Sequence, residues 1–177
     1  MTPETVLETE RLRLTGWLPE HLPDLESLHG DPQVARYLNL DGLPWTKEQC
    51  QTALTAWMVL FSESRLGKLR VVRKSDNLQV GRAGFGIYGP TGKPELGYAL
   101  YPRYWGNGYA QEAAAGLRDW IFRETDWDHF IGLADVRNEA SLKVLGKIGM
   151  KPTHVETEPN GLKAQFFTYS REDQNDR

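Results

Sequence analysis

A chain of 177 residues, 40% hydrophobic and 11% aromatic, has apolar material for one sizeable core, which excludes a disordered or fibrous class. A formal net charge of −3 with both signs interspersed excludes the broad basic footprint of a nucleic-acid or anionic-membrane binder, while leaving room for a local phosphate site. The lone Cys50 excludes an internal disulfide and a cysteine-based metal cluster; with no long apolar run and no basic leader, the expectation is a cytoplasmic protein without membrane contact or metal.

In chain order, Leu12 and Leu14 alternate with Arg11, Arg13 and Thr15, which predicts one half-buried strand over 8–17. Trp17-Leu18-Pro19-Glu20 opens a helix whose Leu22, Leu25 and Leu28 share a face and which Gly30 stops. Asp31-Pro32 punctuates, and a short helix over 34–38 follows. After the breaker Gly42-Leu43-Pro44, Thr46 and Gln49 have capping-box spacing for a helix reaching about Glu63, with Cys50 buried and inert and Leu54, Trp57 and Phe61 turned inward. Segments 69–73 and 80–88 read as strands joined at Ser75-Asp76-Asn77, and a turn over 89–94 leads into a third, which makes a meander.

The period then changes. Ala110, Ala113, Ala114, Leu117, Trp120 and Ile121 form a helical stripe ending near Glu124. A strand over 130–136 follows, parallel to the strand before the helix. A helix over 138–148 closes on Gly149, and strands 150–158 and 162–170 form a hairpin around Pro159-Asn160-Gly161. The charged tail 171–177 is expected to fray. The class is α/β (α+β): one domain over 1–177, with a mixed, mostly antiparallel sheet, one parallel step and helices on both faces.

Two glycine patterns invite a nucleotide reading. Gly84-Phe85-Gly86-Ile87-Tyr88-Gly89 has the spacing of a dinucleotide fingerprint, but it lies inside a predicted strand and runs into Pro90, so glycines of a bulged strand explain it better. Arg103-Tyr104-Trp105-Gly106-Asn107-Gly108 instead joins a strand to a helix. Glycines there leave backbone N–H groups unhindered, and the helix start adds donors and a positive dipole end, so a pyrophosphate is expected against Gly106 to Ala110 with Arg103 beside it.

This segment resembles the Arg/Gln-x-x-Gly-x-Gly/Ala acetyl-coenzyme A signature of the GNAT superfamily of N-acetyltransferases. Tyr104 to Ala113 is similar to the branch of RimJ/RimL-type ribosomal-protein N-terminal acetyltransferases. Thr9 to Leu14, Asp31 to Tyr37, and Asn138-Glu139-Ala140-Ser141 leading to Gly149-Met150 agree in order and spacing. The resemblance implies an acetyl-coenzyme A-dependent N-acetyltransferase with a splayed parallel strand pair. It implies that N–H groups of Trp105, Gly106, Asn107, Gly108, Tyr109 and Ala110 hold the coenzyme pyrophosphate. It further implies that the pantetheine arm pairs at Leu100 and Tyr101 and that Asn138 and Ser141 face the coenzyme near its sulfur, although plain helix capping accounts for that pair too. Lys143 is within the same helix and could meet the adenosine phosphate; a solvated helix face is the alternative.

The acceptor must attack as a neutral amine, on a protein or peptide N-terminus or a small molecule. Glu95 is the expected base, with an ordinary strand-end carboxylate as the equal alternative, and Tyr37 and Trp45 are expected at the acceptor side, with core packing as the plain alternative for both aromatic residues. Many family members protonate the departing thiolate with a tyrosine in the last helix, and none occurs over 138–148, which leaves the acid role to Ser141 or a water it holds. His21, His29, His129 and His154 lack metal-ligand spacing and read as surface or helix-end residues. A coenzyme-binding sensor without catalysis, or a nucleotide-cofactor enzyme, is the alternative function, and the expected assembly is a monomer or homodimer.

Overall fold

The computed structural model describes residues 2–39 and 41–177; Met1, where the expected domain begins, and Leu40 lie outside them. The predicted first strand is a hairpin, β1 (Thr5–Glu8) and β2 (Leu12–Thr15), with Leu7 opposite Leu14. Its turn contains neither glycine nor proline, and groups distant in sequence help to fix it. Lys74 Nζ donates to the Thr9 carbonyl at 2.6 Å, and Thr9 Oγ1 donates to the Glu112 carboxylate at 2.6 Å.

A 3₁₀ turn over Pro19–His21 leads into α1 (Leu22–His29), and α2 (Pro32–Leu38) starts where the Asp31 carboxylate accepts from Gln33 N–H at 2.8 Å. Helix α3 (Lys47–Ser64) begins on the predicted capping box: Thr46 Oγ1 accepts from Gln49 N–H at 3.2 Å, and Gln49 Oε1 accepts from Thr46 N–H at 2.8 Å. Cys50 and Leu54 of α3 pack with Trp17 and Leu25 in a small core beside the main one.

Strands β3 (Gly67–Arg73), β4 (Gln79–Tyr88) and β5 (Lys93–Leu100) form the meander. Helix α4 (Tyr109–Glu124), β6 (His129–Asp135), α5 (Glu139–Lys147), β7 (Lys151–Thr157) and β8 (Lys163–Ser170) follow. The eight strands lie in the order β1-β2-β3-β4-β5-β6-β8-β7, antiparallel except for the parallel pair β5 and β6. Neighbouring residues of a strand face opposite sides. Phe85 of β4 accordingly stacks with Trp120 of α4, while Arg82 lies against His29 of α1 and beneath the Trp57 ring of α3.

The G-x-G-x-x-G segment lies in β4, as its context indicated. Gly84 has φ of +155°, and a Cβ there would fall 2.1 Å from the Gly67 carbonyl oxygen, so close strand approach explains that glycine. The tail does not fray over its first turns. It forms α6 (Arg171–Asn175), and the Arg171 guanidinium donates to the carbonyls of Phe122, Thr125 and Trp127 at 2.7, 3.0 and 2.8 Å. Charge alone predicted solvation; carbonyls of the last turn of α4 and of the segment after it supply the acceptors. Among the described residues no helix is long and apolar enough to cross a membrane.

Candidate active site

β5 and β6 part almost at once. Their ladder consists of Glu95 opposite Ile131 and Leu96 opposite Gly132, whereas β4 stays paired with β5 through Leu100. The Tyr101 N–H donates to the Val80 carbonyl at 3.0 Å, which fixes the alternation: odd-numbered residues of β5 turn their backbone groups to β4, and Leu96, Tyr98 and Leu100 turn theirs to β6. Beyond Leu96 no ladder partner meets them. Backbone groups of Tyr98 and the N–H of Leu100 therefore face an opening between the strands, while the Leu100 carbonyl accepts from the Trp105 indole at 3.0 Å. Tyr101 turns away from it, its N–H on Val80 and its hydroxyl donating to the Asp24 carbonyl at 2.8 Å. The backbone N–H of Tyr101 thus serves β4 and does not face the opening.

A 3₁₀ turn over Pro102–Tyr104 and a loop link β5 to α4. Gly106 and Gly108 have φ of 77° and 80°, the left-handed region that favours glycine, and a Cβ on Gly106 would meet nothing within 4 Å. Asn107 Nδ2 donates to the carbonyls of Tyr104 and Trp105 at 3.0 and 3.1 Å, and Arg11 Nη1 donates to the Asn107 carbonyl at 2.9 Å. Among the described residues, no acceptor is bound by the N–H of Gly106, Asn107 or Gly108. These donors and the start of α4 form an anion cradle. Trp105 is different: its N–H goes to the Pro102 carbonyl at 3.1 Å, so the run of unbound N–H groups starts at Gly106. Exposed Arg103 lies over the rings of Tyr101 and Tyr104, with its guanidinium carbon 4.5 and 4.9 Å from their centroids.

Helix α5 walls the opening. Asn138 Oδ1 accepts from Ser141 N–H at 3.2 Å, the plain capping role, and Lys143 is exposed on its outer side. The Tyr98 hydroxyl reaches Ser141 Oγ at 2.9 Å, and burial pushes its phenol up to about 12, partly offset by that hydrogen bond. Helix α5 has no tyrosine of its own, and the one that meets Ser141 comes from the strand. The signal was its place between Leu96 and Leu100, on the sheet face that bears the last helix.

The opposite face carries a second cluster that sequence reasoning missed. Lys68 of β3 donates from Nζ to the Gly84 carbonyl at 3.1 Å and the Glu95 carbonyl at 3.5 Å. Desolvation by its surroundings, then the charge of Arg82, pulls the Lys68 ammonium down to about 7, against the opposing pull of Glu95. Arg82 is 4% exposed, and burial lowers it to about 10. Its Nε donates to His29 Nε2 at 3.3 Å; His29 ends α1 as predicted but is buried, not on the surface. Trp45 stacks on His29 with ring centroids 3.9 Å apart and joins the small core. Tyr37 lies between the guanidinium groups of Arg36 and Arg137, 4.9 and 5.4 Å from its ring, at the far end of β6. Glu95, on the same sheet face as Lys68 and Arg82, stands at the last paired positions before the opening.

The family profile for the acetyltransferase (GNAT) domain matches residues 11–151. This chain belongs to the GNAT acetyltransferase family. It is an acyltransferase of that family, and the cradle and opening described above suit a coenzyme A thioester as donor. The N-acetyltransferase p20 of Bacillus licheniformis, itself uncharacterized, is 27% identical over 82% of each chain. The uncharacterized YkkB of Bacillus subtilis is 48% identical over 56 residues, so this chain spans about a third of that relative. RimL, a ribosomal L7/L12 α-N-protein acetyltransferase solved with coenzyme A, superposes with a TM-score of 0.81 at 16% identity, over 96% of this chain and 99% of RimL. That likeness is one of fold. It places this GNAT chain in the architecture expected from its motifs.

Proposed function

We propose that this GNAT enzyme transfers an acetyl group directly from acetyl-coenzyme A to a primary amine that arrives on the α1 and α3 face of the sheet. The observation that carries the reading is the β5–β6 ladder ending at Leu96, beside a loop of unpartnered N–H groups. Gly106, Asn107, Gly108 and the first-turn N–H groups of Tyr109 and Ala110 suit the pyrophosphate, with Arg103 adding charge. The backbone of Tyr98 and the N–H of Leu100 suit the pantetheine amides, and Lys143 suits the adenosine phosphate. Asn138 holds the start of α5, which sets Ser141 against Tyr98.

In the proposed reaction the amine nitrogen bonds to the thioester carbon as the carbon–sulfur bond breaks. The amine sheds its proton to Glu95, and Tyr98, backed by Ser141, donates a hydrogen bond to the departing sulfur. A phenol kept protonated by burial suits that part at every physiological pH. Trp45 and Tyr37 line the approach of the acceptor in this reading. Thiol release from acetyl-coenzyme A across an amine panel, with calorimetric measurement of coenzyme affinity, tests it. The expected result is coenzyme binding and release with at least one amine; binding without release for any amine would remove the catalytic reading.

A further inference from the structure

Arg82 and Arg118 are the buried cations among the described residues, and Lys68 and Arg70 are part-buried. Arg118, 5% exposed, pairs with Asp119 at 2.8 Å and also donates to the Ile148 carbonyl; Arg70 pairs with Asp24 at 3.2 Å. Arg82 is as buried as Arg118, yet among the described residues no carboxylate oxygen lies within 4.0 Å of it or of Lys68. Its one hydrogen bond goes to neutral His29, and Lys68 meets only carbonyls. Uncompensated charge away from water is costly, so its persistence calls for a partner from outside the fold.

The place of these charges says what that partner is. Gly97 is the first residue of β5 beyond the ladder with β6, and it has no side chain to fill the mouth of the opening. A Cβ there would meet Lys68 Nζ at 2.7 Å and Arg82 Nη1 at 3.6 Å, so both cationic groups converge on that one point. Glu95 shares the sheet face, and among the described residues its charge opposes the lowering of both. Glu95 balances one of the two charges present when Lys68 is protonated, and an incoming monoanion would balance the other and favour that protonated form. A planar guanidinium beside an ammonium is suited to a carboxylate.

We infer that the acceptor of this enzyme is an amine that carries a carboxylate, held by Arg82 and Lys68 at the mouth of the β5–β6 opening while Glu95 faces its amino group. The inference rests on reading that opening as the site of acetyl transfer. An α-amino acid and a peptide with an acidic residue beside its amino terminus offer the same chemistry, and the two are separate arms of the test.

The decisive comparison pairs each acid with its neutral amide: glycine with glycinamide, and a Ser-Glu dipeptide amide with its Ser-Gln counterpart. The expected result is kcat/KM on the order of 10–100-fold higher for the acid in at least one pair, with that ratio collapsing in Arg82→Met and Lys68→Met. Equal or better use of the amide in both pairs overturns the inference, and so does a ratio that both variants preserve. A second measurement is independent of turnover. Lys68 is followed by NMR in protein carrying ¹³C-labelled lysine, with N-acetylglycine or N-acetylglycinamide added as probe. An upward movement of its titration by on the order of 1–3 pH units with the acid alone supports the inference, and identical titrations with both probes refute it. Failure of coenzyme binding or of all thiol release would instead count against the acetyl-transfer reading, with the NMR result still deciding whether a carboxylate binds.

Discussion

His29 provides a test of the cluster behind the opening, because its neutrality is required by its contacts. The imidazole is 1% exposed, stacked on Trp45, and accepts at Nε2 from the Arg82 guanidinium, so a proton on Nε2 would replace an acceptor with a donor facing a cation. Its Nδ1 has no hydrogen-bond partner among the described residues. Burial first and the Arg82 charge second hold it down to about 2, against a reference of 6.5. The sign follows from proton counting: as pH falls below 6.5 the unfolded chain takes up a proton that the folded one refuses. Stability from this group is therefore full above 6.5 and lost progressively toward 2. Between pH 7 and pH 5 the loss is about 2 kcal/mol, or roughly 4–8 °C in Tm for a chain of this size. His21 is also lowered by burial and acts in the same direction, so the wild-type slope must be compared with that of His29→Gln, which keeps a neutral acceptor. Calorimetric Tm between pH 5 and pH 8 should show a flatter curve for the variant, at a lower plateau. Parallel curves, or an imidazole titrating near 6.5 by NMR, would refute this account of the cluster.

The remaining tests divide the site by function. Glu95→Gln should lower kcat on the order of 100-fold with coenzyme affinity kept; unchanged turnover across pH removes Glu95 from proton transfer. Tyr98→Phe should lower kcat by a similar order while Kd for the coenzyme stays within about twofold, and an unchanged kcat would return the acid role to Ser141 or solvent. Gly108→Ala places a side chain at φ of 80°, with strain on the order of 1–2 kcal/mol. It should weaken coenzyme binding several-fold by calorimetry, whereas Gly92→Ala, at φ of 68° on the far turn, should lower Tm alone. Arg171→Ala removes the donor to one carbonyl in the last turn of α4 and two just past it and should cost about 1.5–3 kcal/mol, with faster amide exchange in α6; unaltered exchange would mean that the tail is held instead by Gln174, which accepts from the Tyr169 hydroxyl, and by Asp173, which accepts from the Ser170 N–H.

Much of the architecture was legible from local rules. The capping box at Thr46 and Gln49, the apolar stripe of α4 and the two glycines before it each depend on residues a few positions apart, and such contacts form between the same partners whatever surrounds them. Their order along the chain carried the family resemblance and with it the parallel strand pair. Where local rules had no purchase, tertiary structure decided. The β1–β2 turn lacks turn residues and depends on Lys74 and Glu112, and the tail is ordered by carbonyls that only the end of α4 and the segment after it could present. Strand alternation sorts residues into two faces but cannot tell which faces of different strands coincide. It therefore could not bring Tyr98 to Ser141, bring Lys68 and Arg82 together beside the bare Cα of Gly97, or set His29 against Arg82. The sequence by itself determined a coenzyme loop between a strand and a helix; only the register of β3, β4 and β5, set by packing across the whole sheet, placed two uncompensated cations at the mouth of the opening beside it.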